Sequence, residues 1–124
     1  MKHQYSLSLL LSILFFILVQ GNSEKCKLSD VQIQHSNIGR STDKLDFVFE
    51  VEVKNLCSCT IKNVFVNSNG FATSAMVDPK LFRRESNGYL VNDGRSIASQ
   101  SSIKFRYAWD HYFKMTPASL QANC

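Results

Sequence analysis

Two histidines are the side chains of this sequence best suited to transfer protons near neutral pH. His35 and His111 could cleave a phosphodiester by general acid–base catalysis if the fold brought both within hydrogen-bond reach of one substrate. Nothing in their spacing requires such a meeting. We therefore expect two exposed or interfacial histidines rather than a catalytic pair.

Two neighbouring carboxylates, Glu50 and Glu52, offer a second chemistry. Residues two apart on a strand lie about 6–7 Å from each other, a distance that resembles the carboxylate pair of a glycosidase. Apolar residues alternate with these glutamates, so both side chains should face solvent, where water or a cross-strand cation satisfies them. The sequence also lacks a Gly-x-Ser-x-Gly elbow and a glycine-rich phosphate loop. We therefore predict that the protein is not an enzyme and uses no cofactor.

Four cysteines, Cys26, Cys57, Cys59 and Cys124, are the most informative reactive residues. An even number of cysteines in a small secreted chain indicates disulfides. Cys57 and Cys59 should not bond to each other, because strand spacing would hold them about 6–7 Å apart. Two pairings stay open: Cys26–Cys57 with Cys59–Cys124, or Cys26–Cys59 with Cys57–Cys124. Either would close loops of about 30 and 65 residues, each worth roughly 3–4.5 kcal/mol in the chain-entropy model.

The competing interpretation of these cysteines is a zinc site with four thiolate ligands. A Cys-x-Cys pair is present at residues 57–59, but the sequence has no second close pair. A secretory chain also favours oxidised cysteines over thiolates. We therefore expect no metal.

The first 21 residues have the pattern of a cleaved secretory signal peptide. Lys2 and His3 give a basic start, and residues 7–19 are apolar apart from two serines. The small-residue cleavage site fits at Gly21, and cleavage after Ser23 is the alternative. The apolar run of 13 residues is too short to span a hydrocarbon core of about 30 Å as a helix. We therefore predict a secreted domain at 22–124, in the extracellular space or apoplast, with no membrane anchor after cleavage.

The charge of the chain is mildly basic, with 14 Lys and Arg against 10 Asp and Glu. Its densest basic element is the pair Arg83-Arg84, and neither a basic stripe nor a nucleic-acid motif is present. Such a protein could be drawn to acidic glycans or to an acidic receptor face. Nucleic acid is not an expected partner.

The periodicity of the domain indicates an all-β fold. In the stretch 45–54 every odd position is apolar and four of the five even positions are charged, which predicts a strand with one buried face. The stretch 102–110 repeats the alternation, and weaker strands are predicted at 31–35, 60–67 and 88–92. Short strands separated by turns favour a single β-sandwich, with a small barrel as the alternative.

Turn signals lie between these strands. The dipeptides at 69–70, 87–88 and 93–94 each combine Asn or Asp with Gly, which accept positive φ angles. Asp78-Pro79 should begin a turn or a short helical stretch that continues to Phe82.

Aromatic residues crowd the last quarter of the chain, at Phe105, Tyr107, Trp109, Tyr112 and Phe113. One interpretation is an exposed platform, built on Trp109 and Tyr112, that stacks on sugars in a cell-wall carbohydrate-binding module. We favour the other interpretation, in which Phe105 and Tyr107 belong to the core and the remaining three rings cover an edge of the sandwich.

A series of short strings runs along the domain, and their order and spacing are more specific than any one of them. They are Cys-x4-Val-x-Ile-Gln from Cys26, Val-Lys-Asn-Leu-Cys-Ser-Cys at 53–59, Asn-Gly-Phe-Ala-Thr-Ser at 69–74, Val-Asp-Pro-Lys-Leu-Phe at 77–82, Leu-Val-Asn-Asp-Gly-Arg-Ser-Ile at 90–97, Ile-Lys-Phe-Arg-Tyr-Ala-Trp at 103–109 and the terminal Cys124. Together they resemble the plant TAPETUM DETERMINANT family of small secreted cysteine-rich proteins. Leu-Val-Asn-Asp-Gly is the most specific string, and the match covers Cys26 to Cys124.

The resemblance also gives a meaning to the number of cysteines. Members of this family usually carry six, and the two that are missing here correspond to Ser68 and Tyr89. The loss of both together implies that these two positions form a disulfide in relatives. The chain therefore resembles a six-cysteine scaffold from which one bridge has been removed.

The resemblance implies a function as well. Family members act as extracellular ligands of leucine-rich-repeat receptor kinases and specify cell fate in the anther. A receptor ligand needs exposed loops and a few anchoring side chains. The candidate receptor-binding residues are Arg83, Arg84, Asn92, Asp93, Gly94, Arg95 and Trp109.

Overall fold

The computed structural model of the protein describes residues 25–42 and 45–124. The strands in these ranges are β1 (Val31–Arg40), β2 (Phe47–Asn55), β3 (Thr60–Asn67), β4 (Phe82–Glu85), β5 (Gly88–Val91), β6 (Ser102–Trp109) and β7 (Thr116–Asn123). A short 3-10 turn lies at Leu28–Asp30, and a turn with positive φ angles lies at Asn92–Gly94. The predicted signal peptide and both of its cleavage sites lie outside the described residues.

Two antiparallel sheets pack against each other as a β-sandwich. The three-stranded sheet has the order β1-β2-β6, and the four-stranded sheet has the order β4-β5-β3-β7. Buried side chains from both sheets form one hydrophobic cluster between them. The predicted all-β sandwich is confirmed. Among the described residues, no helix is long and apolar enough to cross a membrane.

The central strand of the three-stranded sheet, β2, follows the sequence pattern closely. Buried apolar side chains alternate along it with two glutamates on the outer face. Glu50 accepts a hydrogen bond from Arg106 Nε at 3.2 Å, and Glu52 accepts one from Ser102 Oγ at 2.8 Å. Both carboxylates therefore serve as cross-strand partners on a sheet surface, which is the structural role expected of them.

Two strands of the four-stranded sheet, β4 and β7, have no counterpart in the sequence pattern. Both are edge strands, and β4 has only four residues. Pro117 lies near the start of β7, where an edge strand tolerates a missing donor. Asp78 begins a turn rather than a helical stretch, and its carbonyl accepts the N–H groups of Leu81 and Phe82 at 2.9 and 3.1 Å. The two missed strands lack the apolar–polar alternation on which strand prediction depends.

A cluster of aromatic rings joins the two sheets. Phe82 of β4 stacks on Phe105 of β6 with ring centroids 4.3 Å apart, and on Tyr89 of β5 at 4.7 Å. Phe71, from the loop after β3, lies edge-on to four neighbouring rings at 5.1–5.5 Å. Tyr107 is fully buried, so the predicted core role of Phe105 and Tyr107 is confirmed.

The structure distinguishes between the two disulfide pairings. Cys26 is bonded to Cys57, and Cys59 is bonded to Cys124. The first bridge ties the segment before β1 to the loop after β2, and the second ties the end of β7 to the start of β3. No cysteine is free, so the thiolates that a zinc site would need are all in disulfides.

The Cys57-Ser58-Cys59 segment brings its two sulfurs closer than strand spacing predicts. The Sγ atoms of Cys26, Cys57 and Cys59 all lie within 4.8 Å of one another. The predicted separation of about 6–7 Å is wrong, because these residues form a bend between β2 and β3 instead of an extended strand. The two disulfides consequently lie side by side.

A buried amide organises this bend. Asn55, at the end of β2, is completely inaccessible to solvent. Its Nδ2 donates to the carbonyl of Cys59 at 2.8 Å and to that of Ile97 at 3.0 Å, while its Oδ1 accepts the N–H of Cys57 at 2.9 Å. One side chain therefore satisfies three backbone groups that would otherwise be buried without partners.

We predict that Asn55→Ala lowers the free energy of unfolding by about 2–4 kcal/mol, because it leaves those backbone groups without partners. Urea denaturation followed by tryptophan fluorescence measures the loss. Asn67→Ala is the matched control, since Asn67 is exposed at the end of β3. Equal losses for the two variants would contradict the assigned role of Asn55.

Candidate functional site

The structure divides the seven candidate residues into a group of six and one that lies apart. The group is built by β4 and the turn after β5, and we call it the arginine–turn surface: Arg83, Arg84, Asn92, Asp93, Gly94 and Arg95. Trp109 ends β6, in the other sheet. Six of the candidates therefore lie on β4 and the adjoining turn, with Arg84 directed to the opposite face of β4 from Arg83, and Trp109 lies apart from them.

An ion pair joins β4 to the turn. Arg83 Nη1 donates to Asp93 Oδ1 at 2.6 Å, and Arg83 Nε donates to Glu85 Oε1 at 3.1 Å. The same guanidinium donates to the Pro79 carbonyl at 3.3 Å. Three acceptors therefore hold a long side chain in one orientation, although such an exposed pair adds little to global stability.

The charges around Asp93 determine its ionisation. The hydrogen bond and charge of Arg83, with smaller contributions from Arg95 and Lys80, hold the pKa of the Asp93 carboxyl below its usual value. The bond to Asp93 in turn raises the pKa of Arg83. Because the pKa of Asp93 is lowered, the pair is present above the ordinary aspartate pKa and is lost only as the pH falls through the lowered value.

The turn itself requires unusual backbone angles. Asn92 and Asp93 both have φ of 57°, and Gly94 has φ of 74°. Asn and Asp tolerate this left-handed region better than other residues with a Cβ atom. A Cβ atom at Gly94 would lie 2.8 Å from Asn63 Oδ1, so any larger residue there requires the Asn63 side chain of β3 to move.

We predict that Gly94→Ala destabilises the protein more than Gly70→Ala. Both glycines have left-handed φ angles, of 74° and 72°, but the space beside Gly70 is open. The angle alone costs about 1–2 kcal/mol in each variant. Gly94→Ala should cost about 1 kcal/mol more, because Asn63 must move and weaken its 2.9 Å hydrogen bond to Gln121. Thermal unfolding of the two variants measures the difference, and identical midpoints would argue against the close approach.

The two adjacent arginines have different environments. Arg83 and Arg84 follow each other in β4, so their side chains point to opposite faces. Arg84 is exposed, and its guanidinium lies 5.8 Å from the centroid of the Tyr89 ring, near the outer limit of a cation–π contact. Only Arg83 is held by the turn, so the two side chains present charge in different directions.

Trp109 and Tyr112 do not form one platform. Trp109 is half-buried, with its ring centroid 6.4 Å from that of Phe113. Tyr112 is 59% exposed and packs at 5.5 Å against His35 of β1. Within the ranges 25–42 and 45–124, no ring contact joins the two. Phe113 is itself buried, and its N–H donates to the hydroxyl of Tyr107 at 2.9 Å.

The histidines also have separate partners. His35, in β1, is half-buried beside Tyr112 of the segment after β6, and burial lowers its pKa, so the neutral form is favoured. Its Nε2 has no hydrogen-bond partner among the residues the structure describes. His111 is exposed and bonds through Nδ1 to the neighbouring Asp110. The expected exposed or interfacial placement is confirmed, and the two rings share no contact in the described part of the chain.

Three residues that shape the arginine–turn surface were not identified from the sequence. Glu85 and the Pro79 carbonyl hold Arg83, and Asn63 supports Gly94 from β3. Glu85 could have been found, because it lies two residues after Arg83 and therefore on the same face of β4. No local signal marks Asn63, which meets the turn only through the packing of β3 beneath it.

The family of the chain follows from comparison with known proteins. The family model described as Tapetum determinant 1, C-terminal, matches residues 27–124. The chain belongs to the tapetum determinant 1 family. The resemblance noted in the sequence is confirmed over residues 27–124, which include every strand of both sheets. No solved structure matches the chain.

Curated relatives support this membership. The chain is similar to TPD1 protein homolog 1 of Arabidopsis thaliana, with 32% identity over 75 residues, which cover 58% of this chain and 42% of the relative. It is similar to TPD1 protein homolog 1B of Oryza sativa subsp. japonica, with 24% identity over 99 residues, which cover 78% of this chain and 58% of the relative. It is also similar to TPD1 protein homolog 1A of Oryza sativa subsp. japonica, with 29% identity over 77 residues, which cover 55% of this chain and 34% of the relative. The chain thus spans between a third and three fifths of the length of these relatives.

The two positions that the resemblance assigns to missing family cysteines, Ser68 and Tyr89, are held by other interactions. Ser68 is buried and donates from Oγ to the carbonyl of Lys114 at 3.2 Å. Tyr89 lies opposite Val66 of β3 and stacks on Phe82, as described for the aromatic cluster. The packed ring of Tyr89 therefore lies at a position where the resemblance implies a disulfide in relatives.

We predict that Tyr89→Ala lowers the free energy of unfolding by about 3–5 kcal/mol, because it leaves a cavity in the ring cluster. Tyr112→Ala is the matched control, since that ring is 59% exposed, and it should cost less than about 1 kcal/mol. Guanidinium denaturation of the oxidised protein measures both. A small loss at Tyr89 would mean that the ring does not replace the bridge.

Proposed function

We propose that this protein is a secreted ligand for the ectodomain of a plant leucine-rich-repeat receptor kinase, acting in cell-fate specification in the anther or another reproductive tissue. Membership of the tapetum determinant 1 family over residues 27–124 supports the proposal. The two disulfides fit a protein that works in an oxidising, extracellular compartment such as the apoplast. The proposed activity requires binding alone, without catalysis or a cofactor.

The arginine–turn surface is the proposed receptor-binding site. The observation that carries this choice is the 2.6 Å pair between Arg83 and Asp93, which holds a strand and a turn in one arrangement before any partner binds. A preorganised surface loses less conformational entropy on binding than a mobile loop. Arginine is also among the residues that most often dominate the binding free energy of protein interfaces.

The electrostatics of this surface favour an acidic partner. Asp93 lies in the field of three cations, Arg83, Arg95 and Lys80. A receptor face with carboxylates would complement this arrangement and would speed association.

The alternative function, binding of cell-wall carbohydrate, required Trp109 and Tyr112 to act together. Their rings pack against different partners, Phe113 and His35, so the arrangement does not favour stacking on one sugar chain. We therefore retain the ligand proposal.

A binding screen tests it. The oxidised protein is captured on a sensor and exposed to a panel of plant leucine-rich-repeat ectodomains, while insoluble cellulose and xylan are incubated with it in parallel. We expect binding to at least one ectodomain and none to the glycans. Glycan retention without ectodomain binding would overturn the proposal in favour of the alternative.

Charge variants then locate the site. We predict that Arg83→Ala weakens ectodomain binding at least tenfold, which is about 1.4 kcal/mol. Arg106→Ala is the matched control, because Arg106 makes a similar pair with Glu50 at 3.2 Å on the outer face of the other sheet. A loss confined to Arg106→Ala would place the interface on the three-stranded sheet instead.

A further inference from the structure

The two disulfides form a compact group of sulfur atoms at one end of the sandwich. The Sγ atoms of Cys26, Cys57 and Cys59, which we call the sulfur cluster, lie within 4.8 Å of one another. Only one of the three pairs within it is bonded, since Cys59 is bonded to Cys124. Each bridge therefore has a sulfur of the other bridge as a near neighbour.

Access to the two bridges from solvent is unequal. Cys57 and Cys59 are 3% and 8% exposed, whereas Cys124 is an exposed residue at the end of the chain. Cys26 is half-buried, so Cys124 is the most exposed of the four cysteine residues and the one at which we expect a thiolate from solvent to attack. Attack there forms a mixed disulfide on Cys124, breaks the Cys59–Cys124 bond and leaves the electron pair on Cys59 Sγ.

The freed thiolate is held beside a second disulfide. Cys59 Sγ can attack Cys26 Sγ, which forms Cys26–Cys59, breaks Cys26–Cys57 and leaves the electron pair on Cys57 Sγ. The backbone N–H of Cys59 donates to Cys57 Sγ at 3.5 Å, a contact that stabilises a thiolate at Cys57. The two exchanges together consume one small thiol, release one proton from it and need no external oxidant or reductant.

We propose that the sulfur cluster is a thiol–disulfide exchange site. A small thiol such as glutathione forms a mixed disulfide with Cys124, and the freed Cys59 thiolate then forms the Cys26–Cys59 bond. This proposal does not depend on receptor binding. The product contains a Cys26–Cys59 bond, which is the second of the two Cys26 pairings that the sequence left open. It also removes the covalent tie at the end of β7, where Asn123 pairs with Thr60 of β3.

Mass spectrometry of the oxidised protein tests the exchange. The protein is incubated with reduced glutathione, quenched in acid, and alkylated with N-ethylmaleimide under denaturing conditions. Trypsin cleavage after Lys54 and Lys62 yields one peptide with both Cys57 and Cys59, and fragment ions locate the label between them. We expect Cys57 to carry about half of the label or more once Cys124 is glutathionylated.

A double variant supplies the control. In Cys26→Ser/Cys57→Ser the acceptor bridge is absent, so the label should stay on Cys59. Cys124→Ser provides a second measurement, because it frees Cys59 permanently and should give label on both Cys57 and Cys59 without added glutathione. Label found on Cys59 alone in the glutathionylated wild-type protein would overturn the proposal, whether or not either variant folds.

Discussion

The hydrogen bonds of the Asn55 amide are the constraint on which the rest of the domain depends. The chain must reverse direction between β2 and β3 while two disulfides are packed into the same space. A bend of this kind leaves backbone N–H and C=O groups pointing inward, where each lost hydrogen bond is costly. Asn55 satisfies groups on Cys57, Cys59 and Ile97 with one side chain, and its own backbone pairs with Gln100 and Ser101. Asn55 therefore forms hydrogen bonds with the bend, with one cysteine of each disulfide and with the segment before β6.

Stability is distributed between this end and the middle of the sandwich. A domain of about 100 residues buries a limited core, so covalent ties and large rings contribute a large share of its stability. The disulfides close one end, and the stack of Tyr89, Phe82 and Phe105 joins the sheets near the middle. The edge of β6 is partly covered as well, since Ser74 N–H donates to the carbonyl of Ala108 at 2.8 Å. Covering an edge strand in this way limits unwanted pairing with other chains.

The candidate recognition surface shows how strand geometry selects among residues of similar chemistry. Arg83 and Arg84 are adjacent in the sequence, yet the two-residue period of β4 sends only Arg83 toward the turn. Its ion pair with Asp93 costs little and stabilises little, because both groups are exposed. The contribution of the pair is geometric: it holds charges at defined positions that a partner can recognise. Trp109, although equally conspicuous in the sequence, ends a strand of the other sheet and packs against Phe113.

The elements whose signal is local were predictable from the amino-acid sequence. The alternation along β2 and β6 predicted their buried faces, and the strings that resemble the tapetum determinant 1 family predicted membership. The even number of cysteines predicted two disulfides. Strands β4 and β7 lacked such a signal, because apolar and polar residues do not alternate regularly along either of them. Three outcomes depend on tertiary packing: which cysteines pair, how close the sulfurs of Cys57 and Cys59 lie, and which candidate residues lie together. Those outcomes depend on residues far apart in the chain, and no local period encodes which of them will meet.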